Sequence, residues 1–559
     1  MKILLTGVNS KYIHSNLAIR YLKAYTEELP CECKIREFSI NDRIEIILEQ
    51  IMTEKADVVA FSCYIWNMEY VNKLANLIKL VDSNIEILYG GPEVSYDSEN
   101  FLKENLGEYV IAGEGEETFK EFVEYKLGLR DIRTIRGLYY RAEDGILFNG
   151  IRPQMNMNNL IFPYKEGDKE IHNKIVYYEA SRGCPFKCKY CLSSTADGVR
   201  FLDIDRVKKE LKFFIDEKVR LVKFVDRTFN CKHDFVKEIW NFLIEQDTET
   251  TFHFEISADL LRDDEIELLN KAPKGRIQLE VGVQTTNNQV LNNINRYVGF
   301  ETLKDKVVGI AKANNVKQHL DLIAGLPGED FESFKASFND VHSIRPDEIQ
   351  LGFLKLLKGS SMREEAEKWG IVYAPYAPYE ILKSKDVSYE ELLELKKVEE
   401  IVDKYYNSQK FNTILKYFLS KFESPFDFYH EMGKYFYDRG YFNINIGNTE
   451  YYRAFVDFNN YKFGGENDKE VREIIKYDYL RYNKKKWLPE FLNRDITKEE
   501  ERIIKDNLKE DINLKRAHIE KFDLDVKKYI ENNQLSMETN YIIFDLDDAD
   551  NMIYLQGEY

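Results

Sequence analysis

Two runs of strand–helix alternation constrain the first 375 residues more than any other feature of the 559-residue chain. Apolar runs at 2–8 (KILLTGV), 57–64 (DVVAFSCY) and 85–89 (IEILY) read as buried strands, with shorter ones at 34–38 and 109–112. Periodic helices at 16–28, 42–54, 67–82, 97–105 and 116–126 separate them. A strand that is apolar on both faces must be covered on both sides. The fold class expected is therefore α/β: a doubly wound, Rossmann-like parallel sheet with ligands at the carboxyl ends of its strands. Residues 134–150 read as a hairpin turning at Asp144-Gly145, and 152–168 as an extended link. From 174 the alternation resumes, with strands at 174–179, 221–226, 251–257, 277–283, 317–323 and 348–353. Helices at 205–217, 233–245, 263–271, 301–314 and 331–344 lie between them. Six such units are too few for a closed eightfold barrel and suit a partial, open one.

After about residue 375 the character changes. Charged helices such as 388–407 and 496–509 dominate, with strand-like pieces near 441–446, 452–457 and 540–545. A chain this long exceeds one hydrophobic core. The expected domains are 1–133, a hairpin and linker at 134–170, a partial barrel at 171–375, and a mostly α-helical domain at 376–559.

Charge and cysteine usage narrow the function classes. A net charge of −18 argues against broad, non-specific binding to nucleic acid, which rests on cationic side chains neutralising phosphates. No apolar stretch reaches the length of a membrane-spanning helix. The N-terminal MKILLTGVNSKYIH reads as a first strand and not as a signal peptide. Seven cysteines, an odd number without an export signal, point to reduced thiols and a cytoplasmic setting.

Three of those cysteines stand together, in Glu179-Ala-Ser-Arg-Gly-Cys184-Pro-Phe-Lys-Cys188-Lys-Tyr190-Cys191. The segment follows the first strand of the second alternation, so the thiols sit on a loop at a strand's carboxyl end. Three thiolates can bind three irons of a 4Fe–4S cluster and leave the fourth open to a ligand, whereas four cysteines favour an electron carrier. A structural zinc would need a fourth ligand, and His172 and Cys231 lack the paired spacing of such sites. A disulfide in so crowded a loop is the remaining alternative.

On these residues the region resembles the radical S-adenosylmethionine (SAM) superfamily. The resemblance implies that Cys184, Cys188 and Cys191 hold a 4Fe–4S cluster whose open iron chelates SAM, and that an electron then yields a 5′-deoxyadenosyl radical. Later strand ends match in order: Phe224-Val-Asp226-Arg227, Glu255-Ile-Ser257-Ala-Asp259, Glu280-Val-Gly282-Val-Gln284 and Asp321-Leu-Ile-Ala-Gly325-Leu-Pro-Gly328. Tyr190, Asp226, Glu255, Ser257, Glu280, Gln284 and Gly325 are the expected SAM contacts. Asp226 and Arg227 could instead pair with each other, and His253 and Cys231 carry no assigned role.

The first domain resembles the cobalamin-binding domain that precedes the radical domain in one large subgroup. Candidate cobalamin contacts stand at its strand ends: Asn9, His14, Cys63, Tyr64, Gly90-Gly91-Pro92 and Gly113-Glu114-Gly115. No dinucleotide fingerprint follows the first strand. The segment around His14 (Tyr12-Ile-His14-Ser-Asn-Leu17) lacks the aspartate and glycine of the cobalt-ligating Asp-x-His-x-x-Gly motif. That leaves open His14 as a lower ligand without its carboxylate partner, a different lower ligand, none, or a degenerate domain without cofactor. Residues 376–559 resemble an uncharacterised domain appended to some such proteins, with a lid and a partner-binding module both open as roles.

The resemblance implies an enzyme that methylates an unactivated carbon of an unknown substrate, supplied with electrons by an external donor such as flavodoxin or ferredoxin. Radical rearrangement or ring contraction is equally permitted. A cobalamin or iron–sulfur redox sensor is the rival from another class. A tRNA methylthiotransferase would need three further N-terminal cysteines, and the spacing of Cys31, Cys33 and Cys63 does not match.

Overall fold

Alternate residues of the first strand, Lys2–Asn9 (β1), go to opposite faces of one sheet and nucleate two separate cores. Ile3 and Leu5 pack with Val58, Ala60, Leu88, Phe119 and Phe122, while Leu4 and Val8 pack with Val59, Phe61, Ile87, Leu74 and Ile78. The strands Glu32–Ser39 (β2), Val58–Ser62 (β3), Glu86–Gly90 (β4) and Tyr109–Ile111 (β5) run parallel to β1, with helices on both faces. The hairpin Leu138–Ala142 (β6) and Gly145–Phe148 (β7) adds two antiparallel strands, giving the order β2-β1-β3-β4-β5-β6-β7. The hairpin is thus part of this sheet. The computed structural model describes residues 1–195, 197–483, 487–507, 517–546 and 548–556.

The second alternation builds a sheet from Val176–Tyr178 (β8), Leu221–Phe224 (β11), Thr251–Ile256 (β12), Ile277–Gln284 (β13), Lys317–Ala324 (β14) and Glu348–Phe353 (β15). Between β8 and β11, a two-stranded antiparallel ribbon of Ser181–Gly183 (β9) and Val199–Phe201 (β10) closes the neck of the cysteine loop. Sheet order is β15-β14-β13-β12-β11-β8, and β8 and β15 are edges among the described residues, as an open barrel requires. The helix Ile204–Asp216 shows why the alternation folds this way. Asp203 caps it by accepting from the backbone N–H of Asp205 and Arg206, and Val207, Leu211 and Phe214 form its buried stripe. The outward side chains Tyr178, Phe224 and Phe254 meet Phe214, Phe229 and Trp240 in an aromatic layer beneath the helices.

The chain forms two compact units, residues 1–337 with 352–389, and residues 338–351 with 390–559. In the second, long helices (Asn412–Leu419, Pro425–Asp438, Asn448–Phe463, Asp468–Tyr482) pack through aromatic side chains. The strand expected at 452–457 lies inside the helix Asn448–Phe463, and 441–446 starts as a single turn, Tyr441–Asn443. Tyr452, Phe455 and Phe458 recur at helical spacing and pack on Phe411, Tyr405 and Phe418, so tertiary contacts override their β-propensity. The strand at 540–545 forms, as the centre of a three-stranded antiparallel sheet with Ala517–Phe522 and Met552–Gln556. Helix Lys498–Asn507 replaces the 496–509 expectation, of which 508–509 lie outside the described residues. Among the described residues no helix is long and apolar enough to cross a membrane.

Candidate functional site

The β9–β10 ribbon delivers Cys184, Cys188 and Cys191 to a cleft of about 160 Å³ at the carboxyl ends of the barrel strands. Cys184 and Cys188 are buried and Cys191 is more open. Polar groups stand beside the two buried sulfurs: the Thr228 hydroxyl, which donates to the Arg227 carbonyl (2.9 Å), lies 3.4 Å from Cys184 Sγ, and Arg296 Nη1 donates to Cys188 Sγ at 3.8 Å. Arg296 Nη2 also donates to the Gly282 carbonyl at 2.5 Å, tying the loop to β13. Further ties run from the Lys189 N–H to the Ile294 carbonyl and from the Asn295 side chain to the Lys187 carbonyl.

Of the expected SAM contacts, Tyr190, Glu255, Ser257, Glu280 and Gln284 line this cleft. Gln284 sits on a β-bulge with φ +71°, and its amide lies over Gly282. Two do not reach the cleft. Asp226, 1% exposed, turns under the ribbon, where its two oxygens accept from the Ala180 N–H (3.0 Å) and the Ser181 hydroxyl (2.5 Å). Burial pushes its carboxyl up to about 7. Asp226 therefore anchors the root of the cysteine loop and does not pair with Arg227, which instead meets Glu255 at 3.6 Å. Gly325 packs against Ile381, whose side chain would lie 2.9 Å from an added Cβ.

The inward side chains of the strands carry further ionisable groups. Glu280 Oε2 accepts from Lys223 Nζ (2.9 Å) and shares a hydrogen bond with His253 Nε2 (2.9 Å). Burial opposes the charge on Glu280, but the bond from His253 and the Lys223 ammonium overcome it and hold the carboxyl well below its usual range. Asp321 is the opposite case: burial, then the charges of Glu280 and Glu255, push it well above that range.

The candidate cobalamin residues gather at one edge, the carboxyl ends of β1, β3, β4 and β5. Asn9 donates to the His14 carbonyl (2.9 Å) and to Glu37 (3.0 Å), fixing the loop. His14 Nδ1 shares a 2.7 Å hydrogen bond with the Tyr177 hydroxyl of β8. Burial, then Lys11 and Lys223, lower its pKa, so the imidazole is neutral. Tyr64 stacks on Trp66 at 4.4 Å, and Trp66 is 43% exposed. Cys63 is a core thiol. A side chain at Gly91 (φ +120°) would strike its carbonyl, so the Gly90-Gly91-Pro92 turn packs on the β3 loop. Gly113 (φ +82°) has open space where a side chain would stand, a cradle at the edge. Gly115 begins the helix Glu116–Lys126, whereas Glu114 turns away to the barrel. It pairs with Arg200, accepts from the Met155 N–H (2.9 Å) and lies 3.7 Å from Arg182. Arg182 in turn holds Glu116 (2.7 Å) and Glu179 (2.8 Å).

The residues present fit the implied groups. Three thiols brought to one cleft, with the Arg296 guanidinium against the Cys188 sulfur, suit a cluster. Two buried atoms bordering the cleft, Arg296 Nε and Asp321 Oδ1, have no protein partner, as expected where a polar small molecule binds. Gly113, the Tyr64–Trp66 stack and a neutral His14 suit a flat ring at the first sheet's edge. Cys31 and Cys33 lie at the amino end of β2 and Cys63 beyond the carboxyl end of β3, so they form no second cysteine cluster. Arg296, Lys223 and Asp321 were not among the site residues read from sequence. For Lys223 and Asp321 a signal existed, since polar residues at every second position of helix-covered strands must face the barrel interior.

Three family models match in order: "B12 binding domain" at 3–123, "Radical SAM superfamily" at 178–341 and "Protein of unknown function (DUF4080)" at 367–544. The cobalamin-dependent radical SAM methyltransferase TokK of Streptomyces tokunonensis is 25% identical over 58% of this chain and 50% of its own length. The uncharacterized methyltransferase PH0819 of Pyrococcus horikoshii is 30% identical over 31% of this chain and 40% of its own length. The chain thus spans half or less of these curated relatives. Among solved structures, OxsB with aqua-cobalamin bound has a TM-score of 0.57 at 14% identity, covering 91% of this chain and 75% of that one. TsrM from Kitasatospora setae, with cobalamin and a 4Fe–4S cluster bound, has a TM-score of 0.56 at 16% identity, covering 67% and 79%. These two likenesses bear on the fold. The matched domains set the cofactors as a 4Fe–4S cluster, SAM and cobalamin. The chain carries, in order, a B12 binding domain, a radical SAM superfamily domain and a DUF4080 domain.

Proposed function

We propose that the chain is a cobalamin-dependent radical SAM enzyme that methylates an unactivated carbon of its substrate. One observation carries the reading. The edge that holds the candidate cobalamin residues and the cysteine cleft adjoin, with His14 bonded to Tyr177, and with Tyr64 and Glu255 both close enough to Arg227 to act on its charge. A methyl carrier and a radical source would then face the same space. Relatives of this architecture named as methyltransferases support it.

In this reading Cys184, Cys188 and Cys191 hold the cluster, and Tyr190, Glu255, Ser257, Glu280 and Gln284, joined by Arg296 and Asp321, surround SAM. Asn9, His14, Tyr64, Gly113 and the turns at Cys63, Gly90-Gly91-Pro92 and Gly115 shape the cobalamin edge. Bound together, the cofactors supply one-electron cleavage of a carbon–sulfur bond and a transferable methyl group. The protein's share is to position them and keep water out of the cleft. An external donor such as flavodoxin or ferredoxin would supply the electrons. Seven free thiols fit a cytoplasmic setting.

The test is anaerobic reconstitution with iron, sulfide and a cobalamin, followed by reductant and SAM. A brown cluster chromophore, a retained corrin band and release of 5′-deoxyadenosine are expected. A cluster spectrum that persists after Cys184→Ala, Cys188→Ala and Cys191→Ala together would overturn the cluster assignment, and loss of the corrin on desalting would overturn the cobalamin assignment separately.

A further inference from the structure

Tyr379 has φ +56°, a left-handed conformation that a bulky side chain disfavours. Its ring is 5% exposed, and its hydroxyl donates to the carboxyl of Glu93, itself 3% exposed. The Arg363 guanidinium lies over the same ring at 4.6 Å, and Lys358 Nζ stands 3.5 Å from Glu93. Burial, then the bond to Glu93, push the phenol up from its ordinary value, so it stays protonated as the donor. A position that glycine would fill without strain thus carries a tyrosine whose polar end is committed to one partner.

Glu93 directly follows Gly90-Gly91-Pro92, the turn at the cobalamin edge. Its own N–H meets the Cys63 carbonyl at 3.4 Å, one residue before Tyr64. A buried carboxyl needs partners, and those of Glu93, Tyr379 and Lys358, both come from residues 354–386. This strap follows β15 and lies within the first unit. It carries a two-stranded ribbon of Val372–Tyr373 and Ile381–Lys383, and its Ala377 packs on the core that includes Cys63 and Val94. Two loops of the cysteine cleft are tied to it as well. The Met362 N–H donates to the carbonyl of Lys189, the neighbour of Cys188 (2.9 Å), and the Gly328 N–H donates to Asp386 (2.8 Å). From residue 367 onward the strap belongs to the DUF4080 match.

We propose that Tyr379 is a positioning residue for cobalamin: through Glu93 it fixes the Gly90-Gly91-Pro92 turn, which makes residues 367–386 of the DUF4080 match a working part of the cofactor site. This rests on the reading of that edge as the cobalamin site. A turn fixed in advance has less ordering to undergo when the cofactor arrives, so the hydroxyl acts on affinity.

The experiment is equilibrium dialysis of the full chain against hydroxocobalamin, with cluster absorbance read on the same preparations. Tyr379→Phe removes the hydroxyl and keeps the ring under Arg363. It is expected to weaken cobalamin about tenfold while cluster absorbance stays at the wild-type level. Glu93→Gln keeps a carbonyl acceptor for the phenol and should hold affinity within about twofold of wild type. Visible circular dichroism of the bound corrin, which reports how the ring is seated, should change in Tyr379→Phe and not in Glu93→Gln. If Tyr379→Phe does not fold, Tyr379→Phe/Glu93→Ala, which buries neither partner alone, reads the same loss. Wild-type affinity in Tyr379→Phe or in the double variant, equal weakening in Glu93→Gln, or a loss that cluster absorbance follows in proportion would overturn the positioning role alone. A wild-type chain that binds no cobalamin would overturn the reading of the edge, and this role with it.

Discussion

Arg200 on the ribbon that closes the cysteine loop pairs with Glu114 in the loop after β5, so the first sheet grips the root of the candidate cluster site. Arg182, directly opposite Arg200 in the ribbon, reaches Glu116 at the start of the helix that follows that loop. Glu114 thus joins two domains and is not available to face a ligand at the sheet edge. Glu114→Gln is expected to destabilise the first unit by about 1–2 kcal/mol, since a half-buried Arg200 loses its partner. It should also speed hydrogen exchange across 184–198. Burial works against the Glu114 charge, but Arg200, the Met155 N–H and Arg182 hold its carboxyl below the usual range. Its stabilisation is therefore present above the unfolded value near 4 and lost as the pH falls below it. The charge-swapped pair Glu114→Arg/Arg200→Glu should recover part of the loss; unchanged exchange in Glu114→Gln would argue against the grip.

Asp226 gives a pH signature of the opposite sign. Its folded carboxyl titrates at about 7, against about 4 when unfolded, so the folded chain holds the extra proton between these values. Stability from this group is fully present below about pH 4 and is lost as the pH rises through about 7. Asp226→Asn can keep both bonds to Ala180 and Ser181 and should flatten that part of the melting-temperature profile. Asp226→Ala leaves two buried donors unpaired and should cost about 2–4 kcal/mol. Identical profiles for wild type and Asp226→Asn would contradict the assignment.

Arg296 places a cation against the Cys188 sulfur. Reduction adds negative charge to a cluster there, so Arg296→Gln is expected to shift the reduction potential of the reconstituted cluster downward. Voltammetry or a redox titration read by electron paramagnetic resonance checks this. A potential that stays in place would mean that the guanidinium serves only to fasten the loop to β13.

His14 has Nδ1 committed to Tyr177, which leaves Nε2 as the nitrogen for a ligand. If it contacts the corrin, His14→Ala should weaken cobalamin retention, and Tyr177→Phe should do so by about tenfold through loss of the orienting bond. Equilibrium dialysis with the two variants decides it; equal retention in both and in wild type would remove His14 from the site.

Much of this arrangement was legible in the sequence because strand periodicity and loop position determine which side chains reach a strand's carboxyl end. Cys184, Cys188 and Cys191, the alternation around them and the edge residues His14 and Tyr64 all follow from local pattern. Asp226 and Glu114 did not, because each stands at the right strand end but turns toward a partner distant in sequence, Ser181 and Arg200. Arg296 lies on a connection after a short helix, where no periodicity marks a functional position. The aromatic segment at 452–457 misled for a related reason: β-branched and aromatic residues describe a strand until their spacing is set against the helices that receive them.

The central claim is that the three-cysteine loop holds a cluster that cleaves SAM. It is tested most directly by incubating the anaerobically reconstituted chain with reductant and SAM and measuring 5′-deoxyadenosine by chromatography. Release by the wild-type chain, and none by Cys184→Ala, Cys188→Ala or Cys191→Ala, is the expected result. Equal release from any of these variants, or none from a wild-type chain that carries a full complement of iron and sulfide, would contradict it.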